Sequence, residues 1–77
     1  MEINILVFGQ IAEMTGESSF AFSDVEDTDE LMRQLKDDYP QLQSLEFSIA
    51  VNKKIIRKNT ALKNNDTVAI LPPFSGG

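Results

Sequence analysis

One helical repeat stands in a chain whose other apolar residues alternate, and this combination restricts the fold more than any other feature. Leu31, Leu35 and Tyr39 recur every fourth residue, which places them on one face of a helix. Pro40 cannot continue that helix, so the pattern predicts about three turns that end near Tyr39. A single amphipathic helix must bury its apolar face against a sheet, and the sequence therefore predicts an α+β domain.

The start of this helix carries capping residues. Asp27 or Thr28 can serve as the N-cap, and with Asp27 in that role Glu30 falls at the third helical position, as in a capping box. The acidic run Asp24–Glu30 could also suggest a calcium site, but it lacks the spacing and the glycine of an EF-hand loop. We interpret the run as a solvated helix start, because carboxylates favour the positive end of the helix dipole.

Two strands are predicted before the helix. The first covers Ile3–Phe8, in which every second residue is β-branched and faces the same side. Leu6 and Phe8 make the opposite side apolar as well, so we expect this strand to be central and covered on both sides. Gln10–Thr15 could form one helical turn. Ser18–Asp24 alternates again and predicts a second strand, paired with the first as a hairpin.

Three strands are predicted after the helix, at Glu46–Asn52, Ile55–Arg57 and Thr67–Leu71. Polar turn residues separate them at Asn52–Lys54 and Asn64–Asp66. The order is then strand, strand, helix, strand, short strand, strand. A mixed sheet of about five strands wrapped around one main helix is the ubiquitin-like β-grasp arrangement, and we predict this fold.

The composition removes several classes of chemistry. The 77 residues include no cysteine and no histidine, which excludes disulfides, thiolate or histidine metal sites and catalytic Ser-His or Cys-His pairs. The formal charge of -5 would repel nucleic acid unless the seven basic residues shared one face. No apolar run approaches the ~18 residues of a membrane-spanning helix, and no segment resembles a signal peptide. We therefore expect a cytoplasmic protein without a bound metal, a nucleic-acid partner or a membrane partner.

Four cations cluster around the predicted hairpin that follows the third strand. They are Lys53, Lys54, Arg57 and Lys58. They could contact nucleic acid or an acidic partner. The simpler interpretation is that charges on a hairpin protect a sheet edge from pairing with other chains.

The last six residues differ from the rest of the chain. Pro72 and Pro73 fix an extended backbone and cannot join a central sheet. We therefore predict a domain of residues 1–71, followed by an extended tail of residues 72–77. A frayed terminus is the alternative interpretation, because most chain ends are poorly ordered.

The residues beyond the prolines favour contact with a partner. Phe74 is an aromatic residue beyond the last predicted strand, where the domain offers no core to enter. Gly76 and Gly77 could pass through a channel too narrow for side chains, since glycine tolerates any backbone angle. The pattern predicts a segment that binds another protein.

The tail also carries a specific resemblance to a known family. Residues 72–77, Pro-Pro-Phe-Ser-Gly-Gly, resemble the proline-proline-x-Ser/Thr-Gly-Gly ending of the small, sulfur-carrying subunit of molybdopterin synthase. Ile49–Asn52 is similar to the alanine-valine-asparagine segment of that family. Asn65–Ala69 is similar to its glycine-aspartate-glutamate-valine-alanine segment, and Leu6–Glu13 with Gly16 to its first strand and following turn. The resemblance covers the whole chain.

Three positions depart from the family pattern. Ala12 stands where the family often has arginine, and Thr67 replaces a common acidic residue. Asn65 stands where glycine is usual, although asparagine also tolerates a left-handed turn. None of the three lies in the tail.

The resemblance implies a sulfur carrier in molybdenum cofactor biosynthesis. An E1-like enzyme, which supplies the ATP site, would adenylate the carboxylate of Gly77, and a sulfur donor protein would convert the adenylate to a thiocarboxylate. The large subunit of molybdopterin synthase would then pass the sulfur to a pterin precursor. The chain would bind no cofactor and would be no enzyme on its own. Gly77 would be the reacting, catalytic residue, and the partner-binding residues would be Gly76, Ser75, Phe74, Pro73 and Pro72.

Three other functions remain open from the sequence. A sulfur carrier of the thiamine pathway shares the fold and the diglycine end, although the Pro72-Pro73 stem favours the molybdopterin pathway. A ubiquitin-like modifier would be joined to lysines of other proteins. A plain interaction module would leave the tail unused.

Overall fold

The computed structural model of the protein describes residues 2–44 and 46–71. The strands in this part of the chain are β1 (Glu2–Val7), β2 (Ser19–Ser23), β3 (Ser48–Val51), β4 (Lys54–Ile56) and β5 (Thr67–Leu71). The helical elements are α1 (Gly9–Thr15), α2 (Thr28–Asp38) and a 3-10 helix (Pro40–Ser44). Within these described ranges, none of the helices has both the length and the apolar character needed to cross a bilayer. The predicted strands and the main helix are confirmed, with small shifts of their boundaries.

The five strands form one mixed sheet in the order β2-β1-β5-β3-β4. β1 pairs with β5 in parallel, whereas the β1–β2, β3–β5 and β3–β4 pairs are antiparallel. α2 connects β2 at one edge of the sheet to β3, and residues 57–66 return the chain from β4 at the other edge to β5 in the middle. The arrangement confirms the predicted ubiquitin-like β-grasp fold.

The core lies between α2 and one face of the sheet. In the parallel pair, Ile5 lies opposite Val68 and Val7 lies opposite Ile70, so one row of side chains from each strand faces the helix. Burying such rows supplies most of the driving force for folding. The buried core consists of Ile3, Ile5, Val7, Ile11, Val25, Leu31, Leu35, Leu42, Leu62, Val68 and Ile70.

The capping residues of α2 act as predicted, with one difference. The Asp27 side chain accepts a hydrogen bond from the Glu30 N–H at 2.8 Å, which confirms Asp27 as the N-cap. The Glu30 carboxylate accepts in return from the N–H of Glu26, at 3.2 Å, one residue before the cap. At the other end, the Tyr39 N–H donates to the Leu35 carbonyl at 2.9 Å, and the helix ends at Asp38 as Pro40 requires.

The sequence patterns do not predict the 3-10 helix that follows α2. Pro40 occupies its first position. An N–H at that position has no acceptor within the helix, so proline loses no hydrogen bond there. Leu42 is completely buried, and its N–H donates to the Tyr39 carbonyl at 2.9 Å. A five-residue segment with one buried residue has no periodicity to detect, so tertiary packing rather than a local pattern determines this element.

β1 is internal to the sheet as predicted, but the expectation that it is covered on both sides is wrong. Its core-facing residues are buried, whereas Leu6 is 36% exposed and the following Phe8 is 46% exposed. The reason is that α2 crosses only one face of the sheet. Within the described residues, the other face of β1 stays accessible.

Two turns are joined at the end of the sheet where β5 begins. Asn52 and Lys53 have φ angles of 49° and 73° and form the two-residue turn between β3 and β4. Asn52 Nδ2 donates to Asp66 Oδ1 at 2.9 Å, and Asn52 Oδ1 accepts from the Thr67 N–H at 3.0 Å. Asp66 Oδ2 accepts from the Lys63 N–H at 2.8 Å. Asp66 therefore holds the loop before β5 against the β3–β4 hairpin.

These hydrogen bonds lower the pKa of the Asp66 carboxyl. The largest cause is the side-chain hydrogen bond from Asn52, followed by the backbone hydrogen bond from Lys63. A carboxyl with a depressed pKa stabilises the folded state at pH values above its unfolded pKa. This contribution is lost as the pH falls through the folded-state pKa.

We expect Asp66→Asn to lower the free energy of unfolding at neutral pH by about 1 kcal/mol, because the charged acceptor of two hydrogen bonds is lost. The free energy of unfolding of the variant should also fall less than that of the wild type when the pH is lowered below about 4, because the variant has no carboxyl to protonate at position 66. Urea titrations at neutral and acidic pH values measure both effects. Glu13→Gln, which removes an exposed carboxylate from α1, is the matched control, and equal behaviour of the two variants would contradict the role of Asp66.

We expect Asp27→Ala to lower the free energy of unfolding by about 1 kcal/mol, because the Glu30 N–H loses its acceptor at the start of α2. Thermal unfolding followed by circular dichroism measures the change. Asp29→Ala removes an exposed carboxylate from the same turn without removing the cap, and its effect should be smaller. A larger effect at Asp29 would show that charge, and not the cap, stabilises the helix start.

Candidate functional site

The predicted reactive tail lies outside the described residues. It consists of residues 72–77, that is, the predicted reacting residue Gly77 and the predicted partner-binding residues Gly76, Ser75, Phe74, Pro73 and Pro72. Their roles and the domain boundary after residue 71 stay predictions. The structure does place the residue that precedes them: Leu71 ends β5, which is the middle strand of the sheet.

The face of the sheet opposite α2 is apolar where β1 and β5 meet. Leu6 lies opposite Ala69 in the parallel pair. Alternation along the two strands places Phe8 and Leu71 on the same side, next to that pair. We call Leu6, Phe8, Ala69 and Leu71 the open face.

A shallow cavity of about 390 Å³ lies over the open face. Asn52, Lys53 and Thr67 complete its lining. Asn52 and Thr67 are held by the hydrogen bonds of the Asn52–Asp66 network, so the polar end of the cavity is built on a fixed turn. The apolar end includes Leu71, and the peptide bond from Leu71 leads directly into the tail.

The open face is suited to binding rather than to acid–base or nucleophilic chemistry. Its four side chains are apolar, and Lys53 is the only ionisable residue among those that line the cavity in the described part of the chain. Two large exposed side chains, Leu6 and Phe8, lie together there, and contiguous exposed apolar surface marks a site of protein contact. The open face is therefore a candidate docking surface, and it includes Leu71, the residue that precedes the predicted tail.

The charges of the chain are segregated along the sequence. Eleven of the twelve acidic residues lie within residues 1–46, whereas residues 47–65 contain no acidic residue and five of the seven basic residues. The cluster of Lys53, Lys54, Arg57 and Lys58 lies on and next to β4, the last strand of the sheet. The prediction that this cluster lies at a sheet edge is confirmed, and the acidic character of the whole chain does not extend to this edge.

Sequence reasoning missed the open face as a site. It recognised that Leu6 and Phe8 are apolar, but it assigned them to a buried second layer. A usable signal was present, because only one segment of the chain has a helical period of sufficient length to cover a sheet. An apolar second face that no second helix can cover predicts an exposed surface.

Comparisons with known proteins agree with the fold and with the family resemblance of the sequence. Residues 5–77 match the ThiS family. The molybdopterin synthase sulfur carrier subunit of Dictyostelium discoideum is 39% identical over an alignment of 83 positions, which covers 99% of this chain and 96% of that protein. The similarity thus extends over nearly the whole of both proteins.

Solved structures show the same fold. A chain from the protein–protein complex of subunits 1 and 2 of the molybdopterin-converting factor of Helicobacter pylori is 32% identical, with a TM-score of 0.76 and full coverage of both chains. The small archaeal modifier protein 1 of Methanosarcina acetivorans is 27% identical, with a TM-score of 0.83 over 99% of this chain and 96% of that one. The chain therefore belongs to the ThiS family, in the group that holds the molybdopterin synthase sulfur carrier subunits.

Proposed function

We propose that this chain is the sulfur-carrying small subunit of a molybdopterin synthase and works in a complex with a large subunit. The observation that carries the proposal is the 39% identity to a sulfur carrier subunit over nearly the full length of both proteins. The Pro-Pro-x-Ser-Gly-Gly pattern of residues 72–77 supports it, because it matches the segment on which that family's chemistry depends.

In this proposal the carboxylate of Gly77 carries the sulfur. A free carboxylate is a poor electrophile, because oxide is a poor leaving group. Attack of the carboxylate on ATP gives an acyl-adenylate and pyrophosphate. Hydrosulfide then attacks the acyl carbon and displaces AMP, which leaves a thiocarboxylate. The absence of cysteine and histidine supports this role, since no side chain of the protein is suited to hold labile sulfur.

The proposal requires partners that supply what the chain lacks. Its four glycines stand at positions 9, 16, 76 and 77, so the sequence contains no glycine-rich phosphate-binding loop. An E1-like enzyme would therefore hold ATP, and a separate donor protein would deliver the sulfur. The large subunit would bind the pterin precursor and accept the tail.

We further propose that the large subunit covers the open face. Leu6 and Phe8 offer exposed apolar surface, and Leu71 connects that surface to the tail. A partner that binds the open face would thus receive residues 72–77 at a defined place. The solved complex of subunits 1 and 2 from Helicobacter pylori supports an assembly of this kind.

We expect deletion of Gly77 to abolish sulfur transfer to the pterin precursor, because the remaining terminus ends one residue short of the reacting position. The assay combines the purified chain with the large subunit, the E1-like enzyme and a sulfur source, and it measures sulfurated pterin. Circular dichroism of the deletion variant should match that of the intact chain. Full activity of the variant would refute the carrier role.

We expect Phe8→Ser to weaken binding of the large subunit by roughly tenfold or more, since an apolar anchor at an interface is lost. Arg33→Ser is the control, because the Arg33 side chain is 69% exposed and lies on α2, on the opposite side of the sheet from the open face. Isothermal titration calorimetry measures both affinities. Equal losses for the two variants would contradict the placement of the interface.

A ubiquitin-like modifier is a second candidate function. The likeness to the small archaeal modifier protein 1 of Methanosarcina acetivorans favours it. Affinity capture from native cells with a free C-terminus distinguishes the candidates. A sulfur carrier should be recovered together with a large synthase subunit. Mass spectrometry should then show sulfur in place of one oxygen of its terminal carboxylate. A modifier should be found in isopeptide linkage to lysines.

A further inference from the structure

The edge of the sheet at β4 offers a backbone that can pair with another strand. β4 is the last strand in the order, and within the described residues it pairs only with β3. Val51 and Lys54 flank the two-residue turn and form a hydrogen-bonded pair, as such turns require. The next residue, Ile55, therefore directs its N–H and carbonyl away from β3. A partner strand could bond to both groups.

A groove runs beside this edge on the side of α2. Its volume is about 530 Å³, and it lies between β4, β3 and the first residues of α2. The half-buried side chains of Phe47, Ile49 and Ile56 supply apolar surface. An extended peptide that pairs with β4 would place every second side chain toward this groove.

The charge around the groove determines which peptides it favours. Arg57 and Lys58 line it, and Lys54 lies on the strand itself. Asp29, in the first turn of α2, is the one acidic residue among those that line the groove. The edge is thus basic on a chain whose formal charge is -5, which favours acidic ligands at this place and not elsewhere.

We propose that β4 accepts an acidic, extended peptide segment of a partner protein by strand addition. The backbone of the peptide pairs with Ile55, its apolar side chains enter the groove, and its carboxylates lie near Arg57 and Lys58. A peptide fits better than a nucleic acid, because the groove lies beside a strand edge and its apolar lining is mostly aliphatic, with Phe47 as the one aromatic side chain among the described lining residues. The surface is separate from the open face, and the proposal does not depend on the proposed function.

The first test uses the full chain and a synthetic peptide of about eight residues in which valine alternates with glutamate. NMR spectra of the isotope-labelled chain should show shifts at Ile55, Ile56 and Arg57 on titration, and binding should weaken as salt is added. The same peptide with N-methyl groups on alternate amides cannot pair as a strand, and it should not bind. Equal binding of the methylated peptide would overturn strand addition.

The second test reverses one charge inside and one outside the groove. Lys58→Glu should weaken binding of the peptide by roughly fivefold or more, because an attractive contact becomes repulsive. Lys63→Glu makes the same change in net charge but does not line the groove, and it should have a smaller effect. Equal effects would show that net charge alone attracts the peptide.

Two further outcomes would also overturn the proposal. Shifts confined to Leu6, Phe8 and Ala69 would place the peptide on the open face instead. Tighter binding of a single-stranded oligonucleotide of equal charge would assign the basic edge to nucleic acid. Both measurements use the intact, folded chain, so neither depends on a variant that fails to fold.

Discussion

The central strands β1 and β5 carry apolar residues on both sides of the sheet, but the described part of the chain has a single long helix, and this imbalance constrains the protein more than any other feature. α2 buries one side through Leu31 and Leu35, and these residues hold the rows contributed by β1 and β5. The small core leaves little surplus stability in a chain of this length. The second side cannot be buried by the same helix, so Leu6 and Phe8 remain accessible. One face of the same strands thus supplies the core, and the other carries exposed apolar surface.

Local patterns predicted the elements that depend on neighbouring residues. The four-residue repeat located α2, and the Asp27–Glu30 spacing located its cap, because capping involves atoms only a few residues apart. Asn65, which replaces a glycine usual in the family, adopts a φ of 69°, as its tolerance of left-handed backbone allows. Alternation of apolar residues located β1, β2 and β3, short apolar runs after turn residues located β4 and β5, and the order of strands and helix was sufficient to predict the fold.

Features that arise from distant parts of the chain could not be predicted in the same way. The 3-10 helix is held by burial of Leu42, which no local period indicates. The cavity over the open face needs the register of β1 against β5, and the groove beside β4 needs the position of α2. Asn52 and Asp66 are 14 residues apart, so their hydrogen bond follows from the meeting of two turns. The family motif of the tail was readable because its residues are contiguous.

The position of β5 also has a mechanical consequence. β5 is bonded to β1 on one side and to β3 on the other, and its last residue leads into residues 72–77. A pull on the tail along the strand direction loads both hydrogen-bonded ladders in shear. The bonds of each ladder then share the force and do not open one after another, as they would at a peeled edge. Another protein could therefore pull on residues 72–77 without unfolding the domain, because the force is applied to the middle strand of the sheet.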